Sequence, residues 1–219
     1  MSDVGMNPET GRRTRGPAVA AYSPEELSAA LRRPDRMLAV ALGEAERVGR
    51  SLTEGRHLGL LSVLLLLVGL AGTVAYGLLS PARNAWSTPV LFFGSLAICF
   101  PSLHVFAVFH GARFGLGPML ALALTLTGAA GLFAIGFAPI VWFLDWSIRV
   151  DGWSSVTPRG LSLALLGASL LLGIAQMIRV LLSCQRELRD GGLPAPILLL
   201  WLPLFLFITC RMATLLGLP

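Results

Sequence analysis

The sequence LGLLSVLLLLVGLAGTVAYGLL, from Leu58 to Leu79, contains no charged side chain and decides the fold class. A helix of about 20 apolar residues crosses the hydrocarbon core of a bilayer, and this segment is long enough. Four further apolar runs follow it, at Pro89–Gly111, Pro118–Leu144, Gly160–Cys184 and Pro194–Leu216. The sequence therefore predicts an all-α fold, a polytopic membrane helix bundle of five transmembrane helices over residues 57–219.

The composition is typical of a chain that lipid solvates. Hydrophobic residues make up 55% of the sequence, charged residues 13%, and the mean hydropathy is +0.74. A soluble domain carries about a quarter charged residues, so this chain has too few to cover a surface in water. Every basic residue is an arginine, and most of them lie at the edges of apolar runs. This placement favours membrane orientation over nucleic-acid binding, and we expect the lipid bilayer, with no nucleic acid, as the partner.

The residues before the first span divide into a tail and a helical segment. Residues 1–22 are polar and small, and we expect this tail to be disordered because it cannot bury a core. The string Ser23-Pro24-Glu25-Glu26 matches a capping box, with a serine N-cap, proline at the first helical position and glutamate at the third. This helix is predicted to end near Arg33, because Pro34 disfavours helical geometry in the residue before it.

A second N-terminal helix is predicted from Asp35 to Gly55 and completes a cytoplasmic segment over residues 23–56. Apolar residues recur there every three or four positions and share one face: Leu38, Leu42, Ala45, Val48 and Leu52. Such an amphipathic helix can lie in the membrane interface or pack on a partner helix. Glu44 and Glu46 dilute its positive charge, which favours packing.

The arginines also predict the orientation of the bundle. More than half of them precede the first span. With a cytoplasmic N-terminus, the loops on that side add Arg113, Arg186 and Arg189, whereas the opposite side holds Arg83, Arg149 and Arg159. Cytoplasmic loops carry an excess of Arg and Lys, so we expect the N-terminus inside and, after five crossings, the C-terminus outside.

The most specific local string is Cys99-Phe100-Pro101-Ser102-Leu103-His104. It resembles the Pro-Ser-x-His motif of the membrane lipid phosphatase and phosphotransferase superfamily, in which the serine binds phosphate and the histidine is a general acid. That superfamily needs a second histidine as the nucleophile, and no histidine follows His110 in this chain. The sequence therefore favours a non-enzymatic protein, with an atypical lipid phosphotransferase using Ser102 and His104 as an open alternative.

The stretch from Ile98 to Phe106, a span interrupted by Pro101, also resembles bacterial Yip-like membrane proteins. These are relatives of the eukaryotic Yip family, which combines a soluble cytoplasmic N-terminus with five spans. The resemblance implies a non-enzymatic role in membrane organisation or a trafficking-like process, through protein or lipid contacts. We further expect a bacterial inner-membrane location, a protein partner bound by the N-terminal segment, and self-association as a homo-oligomer. The resemblance assigns no functional residue.

Polar residues inside the spans form the candidate site. Ser102, His104, Gln176 and Arg211 are predicted to lie within the membrane, where polar side chains are costly and mark function by default. Pro101 is predicted to break the second span, with Ser102 or His104 bonding a freed carbonyl, and Gln176 is predicted to bond across helices. If the four residues converge, they would line the path of a channel or transport subunit, which is the alternative function. The three cysteines have no metal-ligand spacing and no cofactor motif occurs, so we expect no metal and no cofactor.

Overall fold

A computed structural model describes residues 20–55, 57–80, 85–110, 115–151, 158–187 and 195–218 of the chain. All regular secondary structure in these residues is helical. The helices are α1 (Pro24–Arg32), α2 (Pro34–Leu38), α3 (Ala45–Glu54), α4 (Leu58–Leu79), α5 (Ser87–Pro89), α6 (Ser95–Phe109), α7 (Leu116–Asp151), α8 (Pro158–Glu187) and α9 (Ala195–Leu215). Two π-helical segments, Ala39–Gly43 and Val90–Gly94, precede α3 and α6.

The start of α1 confirms the predicted capping box. The Ser23 hydroxyl accepts a hydrogen bond from the Glu26 backbone N–H at 3.2 Å, and the Ser23 N–H donates to the Glu26 carboxylate at 3.0 Å. The helix ends at Arg32, with Arg33 extended before Pro34. Most of the predicted disordered tail, residues 1–19, lies outside the described residues. Tyr22, which that prediction included, is only 5% exposed and belongs to the folded part.

The second N-terminal helix differs from the sequence prediction. Instead of one helix from Asp35 to Gly55, the chain forms α2, a π-helical segment and α3, with a break at Glu44 (φ −113°, ψ 55°). The predicted apolar face holds only in the second half, where Val48 and Leu52 are buried, whereas Leu38 is 45% exposed. The break coincides with tertiary contacts of the Glu44 side chain, which accepts hydrogen bonds from Tyr22, outside this segment, and from Arg47 of α3.

Helices α4, α7 and α8 form the tightly packed centre of the bundle. Leu58 lies beside Gly117 and Gly72 lies beside Gly131, so α4 and α7 run parallel to each other. Helix α8 runs the other way, because Gly173 approaches the Leu126 carbonyl of α7 while Ser162 is bonded to Tyr76 near the end of α4. These directions are those of the first, third and fourth crossings of one membrane.

Helix α9 packs on α6 to form a second, peripheral pair. The Trp201 indole N–H donates to the Cys99 carbonyl at 3.0 Å, and Trp201 stacks on Phe205 with ring centroids 5.1 Å apart. Met212 contacts Gly94 at the start of α6. Since later residues of α9 meet earlier residues of α6, the two helices are antiparallel.

Within the part of the chain that the structure describes, four helical segments are long and apolar enough to cross a membrane: Leu58–Leu79, Ser87–Phe109, Leu116–Ser147 and Gly160–Gln185. The predicted fifth span falls on α9, whose apolar stretch Leu200–Leu215 is shorter. The third of these helices is longer than the predicted span. Residues 145–151, which lie beyond the predicted span Pro118–Leu144, continue α7, and Trp146 is 61% exposed there.

Replacing Gly72 by alanine is expected to destabilise the bundle. A Cβ atom at Gly72 would lie 2.2 Å from the backbone carbonyl oxygen of Gly131, a distance that only separation of α4 from α7 can relieve. Overpacking of this kind costs about 1–3 kcal/mol. The thermal unfolding midpoint of Gly72→Ala in detergent should therefore fall. Gly136→Ala is the matched control, because a Cβ there meets nothing within 4 Å. Equal midpoints for the two variants would contradict the close packing.

Candidate functional site

The segment around Pro101 does not contain the predicted helix break. Helix α6 is continuous from Ser95 to Phe109 with Pro101 inside it, and the irregular π-helical segment lies earlier. The Ser102 hydroxyl donates to the Cys99 carbonyl at 2.7 Å, and Trp201 donates to the same carbonyl. Because Pro101 has no N–H, the carbonyl that it leaves without an intrahelical donor is that of Ala97, four residues earlier. The two bonds at Cys99 instead hold Ser102 to its own helix and Trp201 of α9 to α6.

His104 lies on α6 one turn after Phe100 and is partly buried. Its Nδ1 atom is buried and has no hydrogen-bond partner among the described residues. Ser102 donates its hydroxyl proton within its own helix, so its bond is directed at the backbone and not at His104. The Pro-Ser-x-His string thus places its two polar side chains on one helix without bonding them to each other.

Gln176 connects two parts of the molecule, as predicted for a residue that bonds across helices. Its side chain is 5% exposed, and its Nε2 atom donates to the Ala41 carbonyl at 3.4 Å and to the Leu42 carbonyl at 3.1 Å. Both carbonyls belong to the last turn of the π-helical segment Ala39–Gly43. The last carbonyls of a helix lack an intrahelical partner, so Gln176 satisfies groups that the break at Glu44 leaves open.

The predicted cluster of four polar residues is therefore divided between two regions. Ser102, His104 and Arg211 lie on the peripheral pair α6 and α9, and the Arg211 side chain is exposed. Gln176 lies on α8 and bonds to the N-terminal segment. None of the hydrogen bonds found among the described residues joins any two of the four.

Residues 20–55, here called the cap, are fixed to α8 at further points. The Ser183 hydroxyl donates to the Ala45 carbonyl at 3.0 Å, and the Cys184 thiol donates to the Gly49 carbonyl at 3.4 Å. Gly49 allows this approach, because a Cβ there would lie 2.2 Å from the Ser183 hydroxyl oxygen. Helix α1 also packs on α4, and α3 packs on α7. The cap is part of the bundle and not a separate extension.

A charged cluster lies inside the cap and centres on Arg47. Its guanidinium donates to the carboxylates of Glu26 and Glu44, each at 2.9 Å, and to the Ala20 carbonyl at 3.2 Å. The Tyr22 hydroxyl donates to Glu44 at 2.6 Å, and the Arg47 guanidinium lies 4.3 Å from the centroid of the Tyr22 ring. The Tyr22 backbone N–H donates to the Ser51 hydroxyl at 3.1 Å. These contacts join α1, α3 and the break between α2 and α3.

The cluster shifts the titration of its members. Burial, and then the hydrogen bond to Glu44, raise the pKa of the Tyr22 hydroxyl far above its ordinary value of 10.0. The Ser23 backbone N–H, and then Arg47, lower the pKa of Glu26 below its ordinary value of 4.5. Burial opposes the charge of Arg47, but its hydrogen bonds to Glu26 and Glu44 outweigh this and raise its pKa. At neutral pH Tyr22 is therefore neutral, whereas Glu26 and Arg47 are charged.

A cavity of about 290 Å³ opens beside this cluster. Its lining combines the charged residues with a second arginine and a small apolar wall: Tyr22, Glu26, Ala30, Arg36, Ala39, Val40, Glu44 and Arg47. The arrangement offers hydrogen-bond acceptors, two cations and apolar surface within one small site. It can therefore bind a small polar group, and this makes the cap the candidate functional site.

Sequence reasoning missed this site for a physical reason. The sequence predicts Tyr22 in the disordered tail and Glu44 within one continuous helix from Asp35 to Gly55. The capping box was the one local signal, because it places Glu26 at the start of α1. The bonds from Arg47 to Glu26 and from Tyr22 to Glu44 join residues that are about 20 positions apart, and no local pattern predicts them.

No protein-family model, curated protein or solved structure shows significant similarity to this chain.

Replacing Gly49 by alanine is expected to loosen the cap. The added Cβ would displace the Ser183 hydroxyl, which holds the Ala45 and Val180 carbonyls at 3.0 and 2.6 Å. The amides of α3 should then exchange with deuterium faster than in the parent protein. Gly43→Ala is the matched control within the cap, because a Cβ there meets nothing within 4 Å. Unchanged exchange in Gly49→Ala would show that the contact does not hold α3.

The protection of α3 should also depend on pH in both directions. The lowered pKa of Glu26 gives stability that is present above pH 4.5 and is lost as the pH falls through the folded-state pKa. The raised pKa of Tyr22 gives stability that is present below pH 10.0 and is lost as the pH rises above that value. Hydrogen exchange measured across this range checks both limits. Tyr22→Phe should abolish the alkaline loss and keep the acid loss, and an unchanged alkaline loss would refute the assignment to Tyr22.

Proposed function

We propose that this chain is a non-enzymatic integral membrane protein of the Yip-like type, which acts through protein or lipid contacts made by its cap. The observation that carries the proposal is the fixed docking of the cap on α8, through Gln176, Ser183 and Cys184. Because three residues of α8 hydrogen-bond to the cap, the cap keeps one orientation on the bundle and exposes one fixed outer surface. Such a surface suits recognition of a partner at the membrane.

The proposed topology has five crossings. Helix α9 extends over Ala195–Leu215 and, at about 1.5 Å per residue, is roughly 31 Å long, which matches the hydrocarbon core of a bilayer. Its antiparallel packing on α6 directs its C-terminal end towards the start of α6, away from the cap. This supports an N-terminal cap and a C-terminus on opposite sides of the membrane.

The proposed orientation places the cap in the bacterial cytoplasm. Arg32, Arg33 and Arg36 are exposed on the cap, as the positive-inside rule requires of a cytoplasmic segment. At the far end of the bundle, Trp86 and Trp142 are 68% and 56% exposed. Exposed tryptophans are typical of the interface between lipid and water, so these residues suit the outer boundary of an inner-membrane protein.

The two other functions have less support from the geometry. A lipid phosphotransferase requires a nucleophile near the Pro-Ser-x-His string, whereas the Ser102 hydroxyl is directed at the Cys99 carbonyl. A transport path would need polar residues along one surface, whereas Gln176 bonds to the cap and Arg211 is exposed on α9. Neither arrangement favours these functions over contacts made by the cap.

The proposal is tested by crosslinking in native membranes. A photo-crosslinking residue in place of Glu25, which is exposed on α1, is expected to give one discrete adduct with a protein or a lipid. The same residue in place of Phe207, which is 64% exposed on α9, is the control and should give only diffuse lipid adducts. The mass of a protein adduct also distinguishes a second copy of the chain from another partner.

Two measurements on the purified protein can overturn the proposal. In liposomes we expect no ion current and no release of phosphate from lipid phosphate monoesters. A current that Arg211→Ala abolishes would establish a channel instead. Phosphate release that His104→Ala abolishes would establish an enzyme.

A further inference from the structure

The cap cavity has an excess of negative charge on one side and a positive charge on the other. On one wall, the carboxylates of Glu26 and Glu44 share the single guanidinium of Arg47, and Tyr22 contributes a neutral hydroxyl. This wall therefore carries one net negative charge at neutral pH. It is complementary to a small cation that can donate hydrogen bonds, such as a primary ammonium group.

Arg36 contributes a positive charge to the other side of the cavity. This residue lines the cavity and is exposed, and no carboxylate among the described residues lies within 4.0 Å of its side-chain nitrogens. A guanidinium in that position suits a phosphate oxygen, to which it can donate two parallel hydrogen bonds. The cavity thus offers sites for a positive and a negative group of one ligand.

The size of the cavity limits what it can hold. A volume of about 290 Å³ is at the lower end of the range of small-molecule sites, and the apolar part of the wall consists of Ala30, Ala39 and Val40. A polar headgroup of a few heavy atoms fits such a space, but two acyl chains do not. Leu38, which is 45% exposed next to the lining residue Ala39, is available to contact an apolar chain outside the cavity.

The position of the cavity favours a lipid over a dissolved ligand. Ala39 and Val40, which line the cavity, directly precede Ala41 and Leu42 in the sequence. The carbonyls of these two residues accept hydrogen bonds from Gln176. On the other side of the lining, Glu44 and Arg47 flank Ala45, whose carbonyl accepts from Ser183 of α8. Ser183 lies two residues, or roughly 3 Å, before the end of the apolar segment Gly160–Gln185. The cavity is therefore level with a membrane-crossing helix and close to the height at which lipid headgroups lie.

From these observations we propose that the cap cavity binds the headgroup of a zwitterionic aminophospholipid. The primary ammonium lies against Glu26 and Glu44, and the phosphate lies against Arg36. This inference rests on the proposed contact function and names the lipid class that its cap recognises. The cap would then be held at the membrane surface by a lipid bond as well as by α8.

The test uses the full chain in nanodiscs that contain phosphatidylethanolamine, phosphatidylcholine or phosphatidylglycerol. Native mass spectrometry of the released protein is expected to show retained phosphatidylethanolamine in preference to the other two lipids. Arg36→Gln removes a charge-assisted contact and should lower this retention by at least about tenfold. Arg33→Gln is the matched control, because Arg33 is exposed and does not line the cavity.

A second variant tests the ammonium side and retains the capping box. Glu26→Gln keeps the capping box, which accepts glutamine at this position, but removes one negative charge from the cavity. It should reduce the preference for phosphatidylethanolamine over phosphatidylglycerol. An unchanged preference would overturn the assignment of the ammonium to this wall.

The remaining outcomes separate this inference from the proposed function. Equal retention of the three lipids, or equal retention by the parent protein and Arg36→Gln, overturns the headgroup site. If the crosslinked adduct at Glu25 still forms in that case, the contact function stands without it. Soluble phosphoethanolamine should compete only weakly, and binding of this solute to lipid-free protein as tightly as the lipid would overturn a membrane source for the ligand.

Discussion

The close approach of α4 and α7 is the constraint on which the rest of the structure depends. Lipid tails are as apolar as leucine, so helices in a membrane gain little from hydrophobic burial against each other and depend on van der Waals packing. Gly69, Gly72 and Gly131 supply it, because their missing Cβ atoms let the two backbones meet directly. Gly173 repeats this approach between α8 and α7, and these three helices form the support on which the cap is built.

The docking of the cap follows from backbone groups that need partners. The chain leaves α-helical geometry at Ala39–Gly43 and turns at Glu44, which leaves carbonyls without intrahelical donors. Gln176 and Ser183 on α8 donate to carbonyls at this turn. Gln176, a polar residue inside an apolar helix, thus finds acceptors in the irregular segment. The carbonyls of that segment in turn find a donor in the buried glutamine.

The parts of the fold that local patterns encode could be predicted from the sequence. The capping box at Ser23 and the uninterrupted apolar runs are local, and the structure contains the capping box and four helical segments long and apolar enough to span a membrane among the described residues. The break at Glu44 could not be predicted, because a continuous helical pattern runs through it and it coincides with a bond to Tyr22 from another part of the chain. The candidate site is a property of such distant contacts, so only its member Glu26 had a local signal.

The location of the charged cluster explains why its imbalance matters. Near the membrane boundary the effective dielectric is lower than in water, so a net charge costs more there and attracts its complement more strongly. One guanidinium shared by Glu26 and Glu44 satisfies the hydrogen bonding of the cap but not its charge. Gly49 and Gln176 hold the cap on α8, so the cluster keeps one orientation, with the carboxylates of Glu26 and Glu44 open to solvent. In the proposed headgroup site, the lipid ammonium supplies the second cation on this wall, while Arg36 on the other side of the cavity meets the phosphate.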